Sequence, residues 1–305
     1  MRRALDERLA AQFDSYRADR RLHDVPPHEV WAVVVDGERA VCKYDTGATG
    51  NAGLEGRVLA FVGDHTTVPV PRVLAVGGDY FVAAWQSDAP GADGDVRDPD
   101  AAWARAAGRG LATLHAETAA HLDGFGPLAF DGGTPTAPHD DWHAGAVANV
   151  RARRERLADF GHGDVADAVV DALRERPSVV GGAGDAVLCH GWWTPDHVAV
   201  RDGEAACVLD FEHAVAAPGE WDAWRTALPA FGGWETPAAR AFRESYESVR
   251  SLPGGVAGRR SLYEALHGVY FLESLHVQDQ HDAEATADRA ALLRESVFDA
   301  LDDLA

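Results

Sequence analysis

The run Arg39-Ala40-Val41-Cys42-Lys43 carries the only lysine of this 305-residue chain, because the other 27 of its 28 lysine and arginine residues are arginines. Together with residues 30–35 and the pair Asp36-Gly37, the run predicts a β-hairpin, since Asp-Gly readily adopts the positive φ angles of a two-residue turn. Lys43 is therefore expected at the end of a strand. Its ammonium is a compact charge on a flexible stem, suited to contact phosphate oxygens and a carboxylate together.

The segments on either side of this hairpin complete a small β-rich unit. Residues 4–19 alternate charged and apolar side chains and predict an amphipathic helix, which Pro26-Pro27 ends. After the hairpin, an apolar stripe over residues 54–62 predicts a short helix, on which Glu55 points away from the stripe. Residues 72–85 then predict a second hairpin around a Gly-Gly-Asp turn.

Beyond this unit the pattern becomes mainly helical. Residues 86–100 are rich in Asp, Gly, Ala and Pro and indicate a hinge or lobe boundary, and Asp98-Pro99 is predicted to cap the next helix. A β island spans residues 187–211, with a hairpin that turns at Asp202-Gly203. From residue 221 onward the pattern is helical again. The chain is therefore expected to form a small β-rich lobe, a hinge and a larger helical lobe.

Composition limits the classes of function. The formal charge is −21, carried by dispersed Asp and Glu residues, which favours a high-salt cytoplasm and disfavours nucleic acid as a partner. The dense basic run at residues 151–156 has helical spacing and is typical of a solvated helix face. Three cysteines without metal-ligand spacing favour a reducing interior, and no apolar stretch has the length of a membrane span. We expect a cytoplasmic protein with neither a nucleic-acid nor a membrane partner.

Three charged residues occur where the pattern does not require charge. Lys43 ends a strand, Glu55 lies on the next helix, and Asp210 follows the apolar run at residues 205–209. Taken singly, each has an ordinary explanation, such as a surface lysine or a turn aspartate. Taken together they fit one purpose, because a lysine held by a glutamate can grip nucleotide phosphates while an aspartate coordinates the bridging Mg²⁺.

At this point the sequence resembles a known family, the aminoglycoside phosphotransferase and choline kinase branch of the protein-kinase-like fold. The resemblance covers about residues 28–225 and depends on the joint order of short segments: Ala40-Val41-Cys42-Lys43, Glu55 before Val58-Leu59, residues 68–73, Leu111-Ala112-Thr113-Leu114-His115, Cys189-His190-Gly191 with Pro195, Asp210-Phe211-Glu212, and Pro218 with Asp222. It implies an α+β, two-lobed fold with a small antiparallel-sheet lobe at residues 1–88. The helical lobe follows at 89–305 and holds the catalytic-loop hairpin 187–212.

The resemblance also implies ATP and Mg²⁺ as cofactors, bound in the cleft between the lobes. Asp210 is expected on the metal, and residues 86–91 are expected as a hinge that lines the adenine pocket. The implied cofactor-binding residues are Lys43, Glu55, Gln86 and Asp88. Asp222 is expected to brace the catalytic loop. A glycine-rich loop over the phosphates is not evident, because Asp36-Gly37 reads as an ordinary hairpin turn.

The catalytic loop departs from the family pattern, which is His-Gly-Asp with an Asn five residues later. Residues 190–197 read His-Gly-Trp-Trp-Thr-Pro-Asp-His, so Trp192 stands at the position of the proton-accepting aspartate and His197 at that of the second Mg²⁺ ligand. An indole only donates hydrogen bonds and cannot act as a base. Loss of a positioned base typically lowers the rate by a factor of about 10² to 10⁴. Imidazole is also a poor ligand for a hard cation.

Three accounts of this loop remain open at the level of sequence. In the first, Asp196 or Glu212 replaces the missing group, and the protein is a small-molecule kinase that phosphorylates a hydroxyl of an unknown substrate. In the second, the protein is a pseudokinase that binds nucleotide without turnover. In the third, Trp192 and Trp193 pack a decayed site. For the first account we take Asp196, His190 and Glu212 as catalytic candidates, and Asp210 and His197 as metal ligands.

Overall fold

The structure is a computed structural model that describes residues 2–90 and 98–304. Its first lobe is a five-stranded antiparallel sheet with two helices, one that precedes and one that follows the central hairpin in sequence. The elements are α1 (Arg2–Ala10), β1 (Tyr16–Val25), β2 (His28–Val35), β3 (Glu38–Asp45), α2 (Ala52–His65), β4 (Val73–Val76) and β5 (Tyr80–Ala84). In space the strands follow the order β1-β2-β3-β5-β4.

The central hairpin forms as the sequence predicts. β2 and β3 pair antiparallel with Val30 opposite Lys43, and the turn residues Asp36 and Gly37 have φ angles of 47° and 85°. Lys43 lies near the end of β3, where its neighbours Cys42 and Tyr44 are buried on the other face of the sheet. Alternation along the strand therefore directs Lys43 to the face that carries the site.

The predicted helix over residues 4–19 is wrong beyond Ala10. α1 is short and buries Leu5 and Leu9 against the outer face of the sheet, whereas residues 16–25 form the edge strand β1. The charged residues of β1 are mostly exposed, so its sequence lacks the alternation typical of a half-buried strand. Pairing with β2 overrides that weak local pattern. Pro26-Pro27 accordingly forms the turn between two strands and does not end a helix.

The second lobe is mainly helical. Its elements are α3 (Ala101–Thr118), β6 (Gly126–Pro127), β7 (Ala129–Asp131), β8 (Thr134–Thr136), α4 (Trp142–Asp159), α5 (Gly163–Glu175), β9 (Ala186–Cys189), β10 (Val198–Arg201), β11 (Glu204–Val208), β12 (Val215–Pro218), α6 (Gly219–Phe231), α7 (Pro237–Glu247), α8 (Arg260–Val277) and α9 (Ala283–Asp303). The hairpin at Asp202-Gly203 joins β10 to β11 as predicted. The predicted β island is not solitary, because β12 pairs with both β9 and β6.

Two local predictions concern the boundary between the lobes. α3 is capped by Asp100, whose carboxylate accepts hydrogen bonds from the Ala102 and Trp103 amides, and not by Asp98-Pro99. The predicted hinge falls partly on residues 91–97, which lie outside the described residues. The division at residues 88 and 89 stays a prediction.

Buried aromatic side chains hold the helical lobe together. Trp103, Trp193 and Trp224 are fully buried, and their indole N–H groups donate to the carbonyls of Val198, Ala107 and Val256 at 3.0 Å. Trp193 is therefore a packing residue of the core. Cys42, Cys189 and Cys207 are buried free thiols. Across residues 2–90 and 98–304, none of the helices combines the length and apolar character that a membrane span needs.

Candidate active site

Lys43 meets three carboxylates in the cleft between the lobes. Its Nζ lies 2.8 Å from Glu55 Oε2 on α2, 2.7 Å from Asp210 Oδ1 and 2.9 Å from Glu212 Oε2, the last two in the segment after β11. Lys43 is 7% exposed and Glu55 2% exposed. The sequence-predicted trio of Lys43, Glu55 and Asp210 is thus brought together, with Glu212 as a fourth member.

The pKa values of this cluster reflect burial and mutual charge. Burial alone lowers the pKa of Lys43, but the neighbouring carboxylates outweigh it and raise that pKa well above its ordinary value. Burial raises the pKa of Glu55 to about 7 against the opposing effect of Lys43. For Asp210 and Glu212 burial raises the pKa, but the charge of Lys43 together with contacts from neighbouring histidines outweighs burial and lowers the pKa. Asp210 and Glu212 are therefore the firmly ionised carboxylates of the cluster.

The same carboxylates are suited to a divalent cation. Glu55, Asp210 and Glu212 each offer an oxygen within 4.8 Å of the others, an all-oxygen donor set of the kind that Mg²⁺ prefers. Glu55 Oε2 is buried, and no donor among the described residues is well aligned with it, although Lys43 Nζ lies 2.8 Å away. The chemistry of this donor set therefore fits Mg²⁺.

His197 lies beside the same cluster. Its Nε2 is 3.1 Å from Asp210 Oδ2, and its Nδ1 is 3.1 Å from the carbonyl oxygen of Trp192. With one nitrogen donating to the Trp192 carbonyl and the other facing a carboxylate, the ring is held by polar contacts on both sides. The structure brings His197 to Asp210, where it can orient that carboxylate.

His28 is a site residue that the sequence reasoning missed. It begins β2, immediately after the Pro26-Pro27 turn, and its Nδ1 lies 3.0 Å from Glu212 Oε2 while its Nε2 lies 3.3 Å from Asp45 Oδ1. Burial alone lowers the pKa of His28, but these two carboxylates raise it to about 9. A second cation therefore links β2, on the sheet side of the cleft, to Glu212. The only signal in the sequence was its position directly after Pro26-Pro27.

Asp222 at the start of α6 holds the catalytic loop. Its Oδ1 accepts a hydrogen bond from the Gly191 amide at 2.7 Å, and its Oδ2 accepts one from the His190 amide. Oδ2 is also 3.2 Å from His115 Nε2. All these groups are buried, so the brace is rigid.

His190, a catalytic candidate from sequence, is fully buried and does not line the cleft. Its Nε2 donates to the Leu209 carbonyl at 2.8 Å, its Nδ1 accepts from the Trp192 amide, and burial lowers its pKa to about 4. These contacts hold a neutral imidazole between the loop and the end of β11. The structure gives His190 a positioning role.

The other loop candidates do face the cleft. Trp192 is half-buried and lines the cleft, with its ring 5.4 Å from that of Phe271 on α8. Asp196 is exposed and lines the same cleft, and its Oδ1 accepts a hydrogen bond from the Thr194 hydroxyl. A carboxylate is therefore present four residues beyond the position that Trp192 occupies.

Of the two residues predicted to line the adenine pocket, one faces the cleft and the other does not. Gln86 lines the cleft, together with Trp85 and Ala89. Asp88 instead pairs with Arg201 on β10 and is not among the cleft-lining residues. Gly91, the end of the predicted hinge, lies outside the described residues.

The far end of the cleft contains groups that sequence reasoning missed. His213 follows Glu212 and places its Nε2 3.0 Å from Glu212 Oε1 and 2.6 Å from the Tyr270 hydroxyl. Tyr270 and Phe271 come from α8, and the guanidinium of Arg225 lies 3.7 Å from the centroid of the Tyr270 ring. No local pattern marked α8 as part of the site. The whole cleft has a volume of about 1250 Å³.

Comparison with solved structures defines the class of fold. The chain matches a thermostable mutant of aminoglycoside phosphotransferase APH(4)-Ia, solved with ADP and hygromycin B, with a TM-score of 0.68 and 15% identity over 98% of each chain. It matches a putative fructosamine-3-kinase from Thermobifida fusca with a TM-score of 0.68 and 21% identity over 99% of this chain and 98% of that one. The predicted α+β, two-lobed, kinase-like fold is confirmed.

Sequence comparison gives the family. The model of the phosphotransferase enzyme family matches residues 27–263, so the chain belongs to that family. A homoserine kinase from Phenylobacterium zucineum is 33% identical over 205 residues. That match covers 63% of this chain and 56% of the homoserine kinase, so the chain spans just over half the length of this curated relative. The resemblance recognised from the sequence motifs is confirmed.

Proposed function

We propose that this protein is an ATP-dependent phosphotransferase that phosphorylates a hydroxyl group of a small molecule. The observation that carries the proposal is the convergence of Glu55, Asp210 and Glu212 on Lys43 inside the cleft. An ammonium shared by several carboxylates can exchange one of them for phosphate oxygens, which frees that carboxylate to hold a metal ion. Membership of the phosphotransferase enzyme family supports the same chemistry.

In this proposal each residue at the nucleotide end has one role. Lys43 contacts the phosphates, Glu55 orients Lys43, and Gln86 lines the adenine pocket. Asp210 and Glu212 hold Mg²⁺, which when bound neutralises charge on the phosphate oxygens. His28, which Asp45 and Glu212 hold as a cation, supplies a second positive charge near the phosphates.

A carboxylate must accept the proton of the acceptor hydroxyl, and Trp192 stands where the family pattern places that carboxylate, so another residue has to act as the base. Glu212 is a weak candidate, because Lys43, His28 and His213 all contact it and its pKa lies well below the ordinary value. Asp196 is exposed on the cleft and is the better base. The acceptor oxygen then bonds to the γ-phosphorus, its proton passes to Asp196, and the bond from the γ-phosphorus to the bridging oxygen breaks to release ADP.

One observation favours a second candidate function, a nucleotide-binding module without turnover. Trp192 occupies the position expected of the base, and an indole only donates hydrogen bonds, so it cannot accept the proton of a hydroxyl. Such a protein binds ATP through Lys43 and signals by its conformation.

Turnover and binding separate these functions. The protein is incubated at high salt with ATP, Mg²⁺ or Mn²⁺, and a panel of homoserine, hygromycin B, sugars and amino alcohols, and ADP formation and ATP affinity are measured. ADP formation that Asp210→Asn abolishes and the exposed control Asp202→Asn preserves supports the enzyme; asparagine suits both sites, where φ is positive. ATP binding without turnover supports the module, and a chain that does not bind ATP contradicts both. A cytoplasmic location stays a prediction from composition.

A further inference from the structure

The two ends of the cleft differ in the charge of their lining. Carboxylates from β11's end and α2 surround Lys43, whereas the cleft-lining side chains of α8 and α9 include no Asp or Glu among the described residues. These α8 and α9 residues are Tyr270, Phe271, Ser274, Leu275, Arg289, Leu292 and Leu293. Because the chain has 49 acidic and 28 basic residues, a cleft lining from two helices that includes no carboxylate stands out from the rest of the surface.

A buried cation lies directly beneath the aromatic part of this lining. Arg225 on α6 is 2% exposed, and its guanidinium lies 3.7 Å from the ring centroid of Tyr270, 5.2 Å from that of Phe271 and 5.4 Å from that of Trp192. Burial lowers the pKa of Arg225 to about 10, so the group is charged at neutral pH. The aromatic floor therefore rests on a positive charge.

The hydrogen-bond partners of Arg225 within the described residues do not neutralise it. They are the carbonyl of Gly191 and Nδ1 of His267, whose Nε2 in turn donates to the Trp221 carbonyl. Burial lowers the pKa of His267 well below its ordinary value, so this imidazole is neutral. Asp222, whose charge also acts on Arg225, accepts hydrogen bonds from the amides of the loop.

The surroundings add more positive charge. The Arg153 guanidinium lies 5.4 Å from the Tyr270 ring centroid, and Arg153 shares the single carboxylate of Glu273 with Arg156. A charge in a poorly solvated site acts on its neighbours more strongly than one in water. The electron-rich faces of the floor are also already in contact with Arg225, which leaves less attraction for a second cation.

We propose that this end of the cleft binds an acceptor that lays an aromatic or apolar ring on Trp192 and Phe271 and carries no net positive charge. The inference rests on the proposed phosphotransferase function and specifies its substrate class. The phosphorylated hydroxyl lies next to the ring, within reach of Asp196. Polycationic acceptors such as aminoglycosides are disfavoured, because the α8 and α9 side chains of the described lining add no carboxylate to those of Asp196 and Glu212.

Three probes with the same ring and the same hydroxyl test the charge requirement: 4-(hydroxymethyl)benzoate, 1,4-benzenedimethanol and 4-(aminomethyl)benzyl alcohol. Their affinities are measured by saturation-transfer NMR with ADP and Mg²⁺ present. We expect the anionic and neutral probes to bind about fivefold or more tightly than the cationic probe, the effect of about 1 kcal/mol between like charges at a partly solvated site. Equal affinities, a preference for the cationic probe, or no binding of any probe overturns the inference.

Two variants of one residue test whether Trp192 is the contact. Trp192→Phe keeps an aromatic floor and is expected to keep the order of affinities. Trp192→Asp places a carboxylate there and is expected to make the cationic probe the tightest ligand. An order that Trp192→Asp leaves unchanged, in a variant whose melting temperature shows that it folds, contradicts the inference.

The ADP signal in the same spectra reports on the nucleotide end separately. If ADP does not bind, the proposed function fails, and the probe order measured without nucleotide still decides the acceptor class. If ADP binds and the probe order is flat, the acceptor class is wrong while the nucleotide function stands.

Discussion

The proposed nucleotide end of the cleft, around Lys43, and the proposed acceptor end, around Tyr270 and Phe271, stabilise their buried charges in different ways. At the nucleotide end, one ammonium and one imidazolium hold three carboxylates together, so charges are paired side by side. At the acceptor end, a buried guanidinium is covered by aromatic rings, and none of the described carboxylates forms an ion pair with it. The first arrangement is suited to exchange partners with phosphate and metal. The second is suited to select the acceptor molecule that binds beside the phosphate and the metal.

This difference also separates binding from transfer. Phosphoryl transfer depends mainly on positioning and charge neutralisation, for which the nucleotide end retains the expected groups. In our proposal the proton acceptor, by contrast, is Asp196 in the loop between the two ends, where Trp192 stands at the position expected of a carboxylate. Substitutions at Asp196, Lys43 and His28 are therefore expected to have distinct effects.

The largest expected effect is that of Asp196→Asn on turnover. If Asp196 accepts the hydroxyl proton, the substitution lowers kcat by a factor of about 10² to 10⁴, as for other positioned bases. The affinity for ATP is expected to change much less than kcat, because Asp196 approaches the cluster around Lys43 only through His197, whose Nε2 lies 3.7 Å from Asp196 Oδ2 and 3.1 Å from Asp210 Oδ2. Steady-state kinetics with an accepted substrate and nucleotide titration measure both quantities.

Asp202→Asn is the matched control for Asp196→Asn. Asp202 is exposed in the turn of the neighbouring hairpin, and the control makes the same chemical change outside the cleft. A kcat for Asp196→Asn equal to that of the control contradicts the assignment of the base and leaves Glu212 as the remaining candidate.

Lys43→Ala sharpens the comparison at the nucleotide end. Charge-assisted hydrogen bonds contribute about 1.5 to 3 kcal/mol, so we expect ATP·Mg²⁺ affinity to fall by a factor of about 10 to 100. The variant also loses stability, because the carboxylates around Lys43 remain buried without their cation. The measurement is therefore the rise in melting temperature that ATP·Mg²⁺ causes in each variant.

Arg72→Ala serves as the control for Lys43→Ala, because Arg72 is an exposed cation that pairs with Glu38 on the same lobe. It is expected to retain the full stabilisation by ATP·Mg²⁺. Full stabilisation of Lys43→Ala as well means that Lys43 does not contact phosphate.

The parts of the molecule that could be predicted from sequence are those set by local chemistry. The turns at Asp36-Gly37 and Asp202-Gly203 fixed two hairpins correctly, because positive φ angles are required there whatever lies around them. The strand β1 was missed because its exposed, charged residues carry no alternation, and only pairing with β2 makes it a strand. The Glu55 carboxylate was predicted to meet Lys43, although periodicity alone placed it on the other face of α2.

The site residues that were missed depend on contacts between distant segments. His28 gains its charge from Asp45 and Glu212, and Arg225 reaches the floor of the cleft only because α6 packs on α8. Neither environment is encoded in the neighbouring residues. Asp88 illustrates the same dependence on distant contacts, because it stands at the expected hinge position but its side chain pairs with Arg201.

The smallest expected effect concerns His28 and the pH dependence of stability. Its pKa is about 9 in the folded protein against about 6.5 in the unfolded chain, so the folded state binds the proton more tightly. The contribution is complete below pH 6.5 and is lost as pH rises through 9, at up to about 1.4 kcal/mol per pH unit. At pH 7 the Glu55 carboxyl, with a pKa of about 7, is half-titrated, so it also contributes to the change in stability above pH 7. Urea unfolding of both the wild type and His28→Gln at pH 7, 8 and 9 cancels this shared contribution and isolates His28.

Between pH 7 and 9 we expect the free energy of unfolding of the wild type to fall by about 2 kcal/mol more than that of His28→Gln, within the limit set by one proton. His23→Gln is the control, because His23 is an exposed histidine on the neighbouring strand β1, and it is expected to follow the wild type. Parallel curves for the wild type and His28→Gln mean that His28 is neutral in the folded protein. β2 is then joined to Glu212 by a neutral hydrogen bond, and Lys43 is the cation that contacts Asp210 and Glu212 directly.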